Sequence, residues 1–232
     1  MKALVTTDLH SSERAAKTIG QGLTAGDFDV HLCLGDIITF RPLEYLEELF
    51  SDPPVPTYTV PGNTDSDQAR SLLEEMGLDI HFKRVQVGDV TVAGAGGCTP
   101  PPFRTAFVVE EEEYERELPP VLEGAQVLAS HGPAHGILDR SLFGGMHVGS
   151  RALFRAVEVA RPAVVLSGHI HEARGIAAYD WASGKVVTED KEFLESRDPG
   201  MTLFFNPGPA KDGYVGKLEM RDGLVRAHAG RL

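Results

Sequence analysis

The stretch Lys2-Ala3-Leu4-Val5-Thr6-Thr7-Asp8-Leu9-His10 decides the fold, because a short apolar run typical of a buried strand ends in two side chains that can bind metal ions. The same arrangement follows twice. Residues 30–34 lead into Gly35-Asp36, and residues 57–60 lead into Gly62-Asn63-Thr64-Asp65. Helical patterns at about 11–23 and 42–50 separate these three strands. A β-α-β-α-β order predicts a parallel sheet, and such sheets collect ligands at the carboxyl ends of their strands.

Two later apolar runs end in histidine motifs. Residues 127–129 precede Ser130-His131-Gly132, and residues 163–166 precede Gly168-His169-Ile170-His171. The five motifs together supply two carboxylates, one amide oxygen and four imidazoles, which belong to Asp8, His10, Asp36, Asn63, His131, His169 and His171. Oxygen and nitrogen donors without thiolate suit two divalent metal ions (Mn, Fe, Zn or Co), of which we favour Mn. Two such ions held close together would clamp a phosphate group and provide a metal-bound hydroxide.

The order of the motifs, Asp-x-His, Gly-Asp, Gly-Asn-x-Asp, His-Gly and Gly-His-x-His between Asp8 and about Asn206, resembles that of the calcineurin-like metallophosphoesterases. Residues 130–139 and 168–172 are similar to a small phosphodiesterase-like subgroup of that family. The resemblance implies an α/β fold, a four-layer sandwich of two mixed β-sheets flanked by helices. We expect a single metallophosphoesterase domain over residues 1–232, with the alternating C-terminal segments forming a second, more antiparallel layer.

The resemblance also implies roles for individual residues. It implies one metal ion held by Asp8, His10, Asp36 and His171, and a second held by Asp36, Asn63, His131 and His169. Asp36 would then bridge the two ions, and a bridging hydroxide would attack phosphorus in line. The catalytic residues are expected to be Asp36, Asn63, Asp65 and His131, and the substrate-binding residues Asn63, His131, Arg104 and His147.

Thr64 departs from the family's pattern, because many members carry a histidine at this position that protonates the leaving group. Thr64 cannot act as that acid, and Asp65 has no histidine to orient, so we expect Asp65 to accept hydrogen bonds that position the loop. Two explanations stay open. Either the leaving group needs no strong acid, as in activated or phenolic esters, or His135 or His147 supplies the proton. An ordinary loop role is the competing interpretation of both histidines.

These patterns predict a metal-dependent phosphoesterase, and small phosphodiesters, cyclic nucleotides among them, are the favoured substrates. A phosphomonoesterase or a nuclease on the same site is the alternative among enzymes. A non-catalytic, metal-bound interaction module is the alternative outside enzymes, since Thr64 removes the family's usual acid.

The composition restricts the partners. The chain has 232 residues, of which 42% are hydrophobic, and a formal net charge of −12. This charge disfavours long duplex nucleic acid, whereas two divalent ions would make the site itself attractive to a small phosphoester. No apolar run is long enough to span a membrane and no signal peptide is recognisable, so we expect a cytoplasmic protein without membrane binding. A homo-oligomer is compatible with the sequence.

Overall fold

The computed structural model describes residues 1–141 and 145–231, and the strands and helices below lie within them. The strands are β1 (Lys2–Thr6), β2 (Val30–Cys33), β3 (Thr57–Thr59), β4 (Arg84–Val87), β5 (Val90–Ala95), β6 (Val127–Ser130), β7 (Val164–Leu166), β8 (Gly175–Asp180), β9 (Lys185–Asp190), β10 (Phe193–Ser196), β11 (Met201–Asn206), β12 (Tyr214–Arg221) and β13 (Leu224–Arg231). The α-helices are α1 (Glu13–Ala25), α2 (Glu44–Phe50), α3 (Asp67–Glu75), α4 (Glu111–Leu122) and α5 (Arg151–Ala160). Short 3₁₀ turns cover His171–Ala173 and Ala210–Asp212.

The strands form two mixed sheets. The first sheet has the order β10-β13-β12-β1-β2-β3, and the second has the order β4-β5-β6-β7-β11-β8-β9. In the first sheet β1, β2 and β3 are parallel, while β12 pairs antiparallel with β1. In the second sheet β5, β6, β7 and β11 are parallel, and β8 and β9 extend it in antiparallel fashion. The α/β class with two mixed sheets is therefore confirmed.

Four layers follow from the alternation of side chains along the strands. Val5 and Leu32 of the first sheet face Val127 and Phe205 of the second sheet in an apolar core between the sheets. Leu4, between two inward residues of β1, points instead to the helices α1, α2 and α3 on the outer face. The helices α4 and α5 cover the outer face of the second sheet. Both faces of the central strands are buried, which explains why they read as continuous apolar runs.

The expected placement of the C-terminal strands is wrong in one respect. They do not form a layer of their own, because β8, β9 and β11 complete the second sheet whereas β10, β12 and β13 complete the first. The pairing of β12 with β1 runs over four residue pairs from Lys2 to Val5. The strands thus close the sheets that the N-terminal and central parts of the chain begin.

Two helix boundaries also differ from those that the sequence predicts, which are a start at Pro42 for the second helix and a helix over 110–117 for the fourth. The second helix begins at Glu44 and not at Pro42. The helix α4 continues through Pro119 and Pro120, because Tyr114, Leu118 and Leu122 recur at every fourth position and are all buried. No helix in the described part of the chain has the length and apolarity that crossing a bilayer requires.

The topology brings the motif-bearing strand ends together. Asp8, Asp36 and Asn63 follow the adjacent strands β1, β2 and β3, and the amide of Asp8 donates to the carbonyl of Gly35 at 3.0 Å. His131 and His169 follow the adjacent strands β6 and β7 of the other sheet. The site is therefore built where the carboxyl ends of two parallel strand sets meet.

Candidate metal centre

Three potential metal ligands, Asp8, His10 and His171, meet beyond the end of β1. One donor atom from each lies within 4.8 Å of the others. The Nε2 atom of His171 is 3.2 Å from Oδ1 of Asp8, and Nε2 of His10 is 3.9 Å from the same oxygen. Asp8 is buried, whereas both imidazoles are partly exposed. This first group is therefore accessible from solvent on its histidine side.

A second group consists of Asp36, His131 and His169, whose donor atoms also lie within 4.8 Å of one another. The Nε2 atom of His131 is 3.5 Å from Oδ1 of Asp36 and 3.0 Å from Oδ1 of Asn63. Asn63 thereby joins this group as a fourth oxygen or nitrogen donor. Both Asp36 and His131 are buried, so the second group lies deeper than the first.

Asp36 stands between the two groups. While its Oδ1 faces His131, its Oδ2 lies 3.7 Å from Nε2 of His10 in the first group. The backbone N–H of Thr64 donates to Oδ1 at 2.8 Å and fixes the rotation of the carboxylate. The two oxygens of one side chain thus point to different candidate sites, which is the arrangement that a bridging ligand needs.

Several of the candidate metal ligands have a strained backbone conformation. Asp8, His10, Asp36 and His169 have φ values of 55°, 46°, 51° and 63°, in the left-handed region that residues with a Cβ rarely adopt. Each such conformation costs about 1–3 kcal/mol and persists only where the surrounding structure enforces it. The fold therefore maintains strain at four of the seven ligand candidates, as is common at functional sites.

Two motif glycines are required by close backbone approach. A Cβ on Gly62 would lie 2.2 Å from Oδ1 of Asp36, and a Cβ on Gly168 would lie 1.9 Å from Oγ1 of Thr7. Neither contact is sterically possible. Glycine before Asn63 and before His169 therefore lets the strand ends approach closely enough for their ligands to meet.

The protonation pattern around His131 favours a cation. Its Nδ1 lies 2.7 Å from the carbonyl of Leu34 and donates to it, so Nε2 of the neutral ring presents a lone pair to Oδ1 of Asn63. The amide nitrogen of Asn63 donates to Oγ1 of Thr105 at 2.8 Å, which turns its oxygen toward His131. With the ring neutral these are two acceptor atoms 3.0 Å apart, so a proton on Nε2 or a bound cation must stand between them. Burial alone would lower the pKa of His131, but the carboxylates of Asp36 and Asp8 outweigh burial and raise it.

Asp8, in the first group, also indicates a binding site for a cation. Its Oδ2 accepts from Oγ1 of Thr7 at 2.7 Å and from the amide of His169 at 3.1 Å. Its Oδ1 is buried and has no hydrogen-bond partner among the described residues. Burial would raise the pKa of Asp8, yet the imidazoles of His171 and His131 and the Thr7 hydroxyl hold it below its usual range. A carboxylate that stays ionised with one free oxygen suits a metal ion.

The imidazoles of His169 and His10 are suited to coordination because a lowered pKa favours the neutral ring in each. Burial, with His131 nearby, lowers the pKa of His169 to about 4. Burial also lowers the pKa of His10, although Asp36 and Asp8 act against it. Since a metal ion binds the deprotonated ring, the donor set fits two divalent cations at neutral pH.

Comparison with known proteins agrees with this geometry. Residues 1–219 match the calcineurin-like phosphoesterase superfamily domain. The chain belongs to this superfamily. Among curated proteins, none matches the chain.

Solved structures of other proteins share the fold. A protein of Thermus thermophilus is 17% identical, with a TM-score of 0.67 over 99% of this chain and 98% of that chain. A dimetal phosphatase from Danio rerio is 13% identical, with a TM-score of 0.66 over 100% and 96% of the two chains. An archaeal phosphodiesterase is 14% identical, with a TM-score of 0.52 over 99% and 100%. At these identities the similarity establishes the fold, and membership of the superfamily makes a phosphoester hydrolase the expected class.

Thr64, where many superfamily members carry histidine, is part of a hydrogen-bond chain that orients His10. The Nδ1 atom of His10 lies 3.0 Å from Oγ1 of Thr39, which donates to Oγ1 of Thr64 at 3.1 Å, and this hydroxyl donates to the carbonyl of Ile38 at 3.3 Å. With Nδ1–H donating, Nε2 of His10 is left free to face Asp8 and Asp36. Thr64 therefore orients a candidate metal ligand and carries no acidic proton.

Asp65 is fully buried and is occupied by backbone amides. Its Oδ1 accepts from Ile37 and Ile38 at 3.0 and 2.9 Å, and its Oδ2 accepts from Gly62 at 2.7 Å. Burial and the charge of Asp36 raise the pKa of Asp65 to about 7, although the amide donations act in the opposite direction. These contacts tie the loop after β2 to the loop after β3, as the sequence led us to expect. A catalytic role for Asp65 stays a prediction.

The two predicted substrate contacts outside the metal groups lie on surface loops. Arg104 is exposed and directly precedes Thr105, the residue that holds Asn63. His147 is exposed and lies beside the buried Asp139. Neither belongs to the two metal groups, and binding of substrate by either stays a prediction.

Three residues that support the site carry no recognisable signal in the sequence. They are Thr7, Thr39 and Thr105, which hold Asp8, His10 and Asn63 respectively. Asn206 could be noticed, since it is one of only two asparagines in the chain. Its amide donates to the carbonyl of Ile170 at 2.9 Å and fixes the segment between the last two histidine ligands.

Proposed function

We propose that the protein is a dimetal-dependent phosphoesterase that prefers small phosphodiesters. The observation that carries this proposal is the position of Asp36, whose two oxygens face two separate groups of metal ligands. One group would hold a first ion through Asp8, His10 and His171, and the other would hold a second through Asn63, His131 and His169. When bound, such a pair of ions supplies an activated hydroxide and neutralises charge on the phosphoryl oxygens.

The residues of the chain prepare this chemistry. Leu34 and Thr39 each orient one imidazole through a hydrogen bond. Asn206 fixes the loop that carries the last two histidine ligands, and Thr105 orients Asn63. Asn63 contributes a neutral oxygen to the second group. Asp36 is therefore the one carboxylate near the second ion, whereas Asp8 and Asp36 both lie near the first. Less negative charge around the ions leaves more positive potential for an anionic substrate.

Two exposed aromatic side chains, close in sequence to residues that orient metal ligands, support an ester with organic groups. Phe40 follows Thr39, which orients His10, and its side chain is fully exposed. Phe103 lies two residues before Thr105, and its side chain is 64% exposed. Aromatic side chains in a binding site provide contacts for the nonpolar part of a ligand. The net charge of −12 supports a small substrate over long duplex nucleic acid.

Hydrolysis of bis-p-nitrophenyl phosphate and p-nitrophenyl phosphate tests the proposal. The protein would be freed of metal with a chelator and reloaded separately with Mn²⁺, Fe²⁺, Zn²⁺ or Co²⁺, and kcat/KM would be measured for both esters. We expect metal-dependent turnover that favours the diester, with Mn²⁺ most effective. Preference for the monoester would assign a phosphomonoesterase. No turnover of either ester by protein that holds two ions would favour the non-catalytic module.

A further inference from the structure

A carboxylate–imidazole pair lies in the segment that follows His131. Asp139 is completely buried, and its Oδ1 is 2.5 Å from Nδ1 of His147. Its Oδ2 accepts from the amides of Gly136 and Gly149 at 2.9 and 3.0 Å. The carboxylate is thus fixed by the backbone on one side and directed at a histidine on the other. A third of the His147 side chain, 34%, is exposed, and its Nδ1 faces the buried carboxylate.

This arrangement orients the imidazole in one tautomer. Because Nδ1–H donates to Asp139, a proton carried on Nε2 points away from the carboxylate. Among the described residues, His147 also has the imidazole of His135 near it, with the ring centres 5.6 Å apart, and it pairs with Arg140 through the backbone. The Nδ1 atom of His135 is 3.9 Å from Asp139, too far for a hydrogen bond, so Asp139 orients His147 and not His135.

The segment that carries His147 packs against the metal centre. The amide of Ser150 donates to the carbonyl of Pro133 at 3.0 Å, and Pro133 lies two residues after the ligand His131. Val148 and Gly149 line a small cavity together with Cys98 and His169. The hydroxyl of Thr99 also lies 3.5 Å from the carbonyl of Val148. His147 therefore directly precedes two residues, Val148 and Gly149, that lie beside the candidate ligand His169.

The histidine that many superfamily members use as a proton donor is replaced by Thr64 in this chain. Thr64 has no acidic proton, and its hydroxyl is engaged with Thr39 and Ile38. Asp65 is enclosed by three backbone amides and cannot reach a substrate without breaking them. Hydrolysis of an ester with a poor leaving group would thus need a donor from another loop.

We propose that His147, oriented by Asp139, protonates the leaving oxygen of the substrate. As the bond between phosphorus and the leaving oxygen breaks, its electron pair stays on that oxygen, and the Nε2 proton of the imidazolium transfers to it. A water molecule that has released one proton to solvent forms the new bond to phosphorus through its oxygen. The alcohol departs, and the neutral imidazole regains a proton from solvent. This role rests on the proposed phosphodiesterase function, with His147 as a catalytic residue and Asp139 as a positioning residue.

The dependence of rate on the leaving group tests this assignment. A proton donor matters for a poor leaving group and little for a good one, so diphenyl phosphate and bis-p-nitrophenyl phosphate are compared. His147→Gln should lower kcat on diphenyl phosphate by about 100-fold and on bis-p-nitrophenyl phosphate by less than about threefold. Asp139→Asn should show the same selectivity with a smaller loss. His228→Gln, an exposed histidine on β13, is the matched control and should change neither rate.

Two measurements other than rate accompany the comparison. The metal content of His147→Gln should equal that of the wild type, since the side chain lies outside both metal groups, and circular dichroism should show that the variant is folded. A downfield proton resonance from the hydrogen bond between His147 and Asp139 should be present in the wild type and lost in both variants.

Failure of the inference and failure of the proposed function give different results. Equal losses on both esters in His147→Gln, or a selective loss in His135→Gln instead, would overturn the role of His147 while leaving the phosphodiesterase intact. Absence of wild-type turnover on bis-p-nitrophenyl phosphate, with two ions bound, would reject the function on which the inference rests.

Discussion

The hydroxyl of Thr7 is expected to strengthen binding of one metal ion without touching it. It donates to Oδ2 of Asp8 at 2.7 Å and is completely buried. Thr7→Val keeps the shape of the side chain and removes this donation, leaving the amide of His169 as the other partner of that oxygen. A hydrogen bond to a charged group contributes about 1.5–3 kcal/mol. If the contribution is realised fully in metal binding, affinity falls by about 10- to 150-fold.

Isothermal titration of metal-free protein with Mn²⁺ measures this effect. We expect two binding events in the wild type and a weakening confined to one of them in Thr7→Val. The control is Thr24→Val, which removes an exposed hydroxyl that donates to a carbonyl within α1. Circular dichroism would show that both variants are folded. If Thr7→Val binds both ions within about threefold of the wild-type affinity, then Asp8 is not a metal ligand held in place by Thr7.

Three further predictions concern buried ionisable groups. Asp36→Ala should lose both ions, measured by elemental analysis, together with all turnover, and retention of either ion would contradict the bridging position. Asp65→Ala leaves three buried amides without an acceptor. After allowing for the cost of burying the carboxyl, we expect the free energy of unfolding in urea to fall by about 2–4 kcal/mol. The control Asp67→Ala, at an exposed position, should lower it by less than about 0.5 kcal/mol. Burial lowers the pKa of His31 to about 4, so the unfolded chain takes up a proton below about pH 6.5 while the folded chain does not. Stability should therefore fall by about 3 kcal/mol between pH 6.5 and 4, and His31→Gln should remove that part of the slope; an unchanged slope would contradict a neutral buried His31.

The position of the candidate site could be predicted from the sequence because its determinants are local. Each ligand follows an apolar run at a strand end, and adjacent parallel strands bring such ends together. The glycines at 62 and 168 are visible in the motifs, and the structure gives their physical reason in the close approach of the loops. The seven ligand candidates accordingly fall where the motifs placed them.

The distribution of strands between the sheets could not be predicted in the same way. Alternation along β12 shows that the strand is half-buried, but nothing in it specifies pairing with β1, more than 200 residues earlier in the chain. Register between distant strands is decided by the packing of whole faces. The strand character of the C-terminal segments could therefore be predicted from the sequence. Their division between the two sheets could not, and the expected separate layer was wrong.

The hydrogen bonds that support the metal ligands also could not be predicted from the sequence. Thr39 and Thr105 resemble any loop threonine until the fold places them beside His10 and Asn63. Such residues orient ligands through one hydroxyl, and no spacing rule connects them to the motifs they serve. Asp139 and His147 are comparable, because they lie eight residues apart and only the loop conformation brings them together.

The most direct test of the central claim is a crystal structure of the Mn²⁺-loaded protein, with anomalous diffraction used to locate the ions. We predict two anomalous peaks, one among Asp8, His10 and His171 and the other among Asn63, His131 and His169, with the carboxylate of Asp36 between them. A single peak, or two peaks that do not share Asp36, would contradict a dinuclear centre built on that residue.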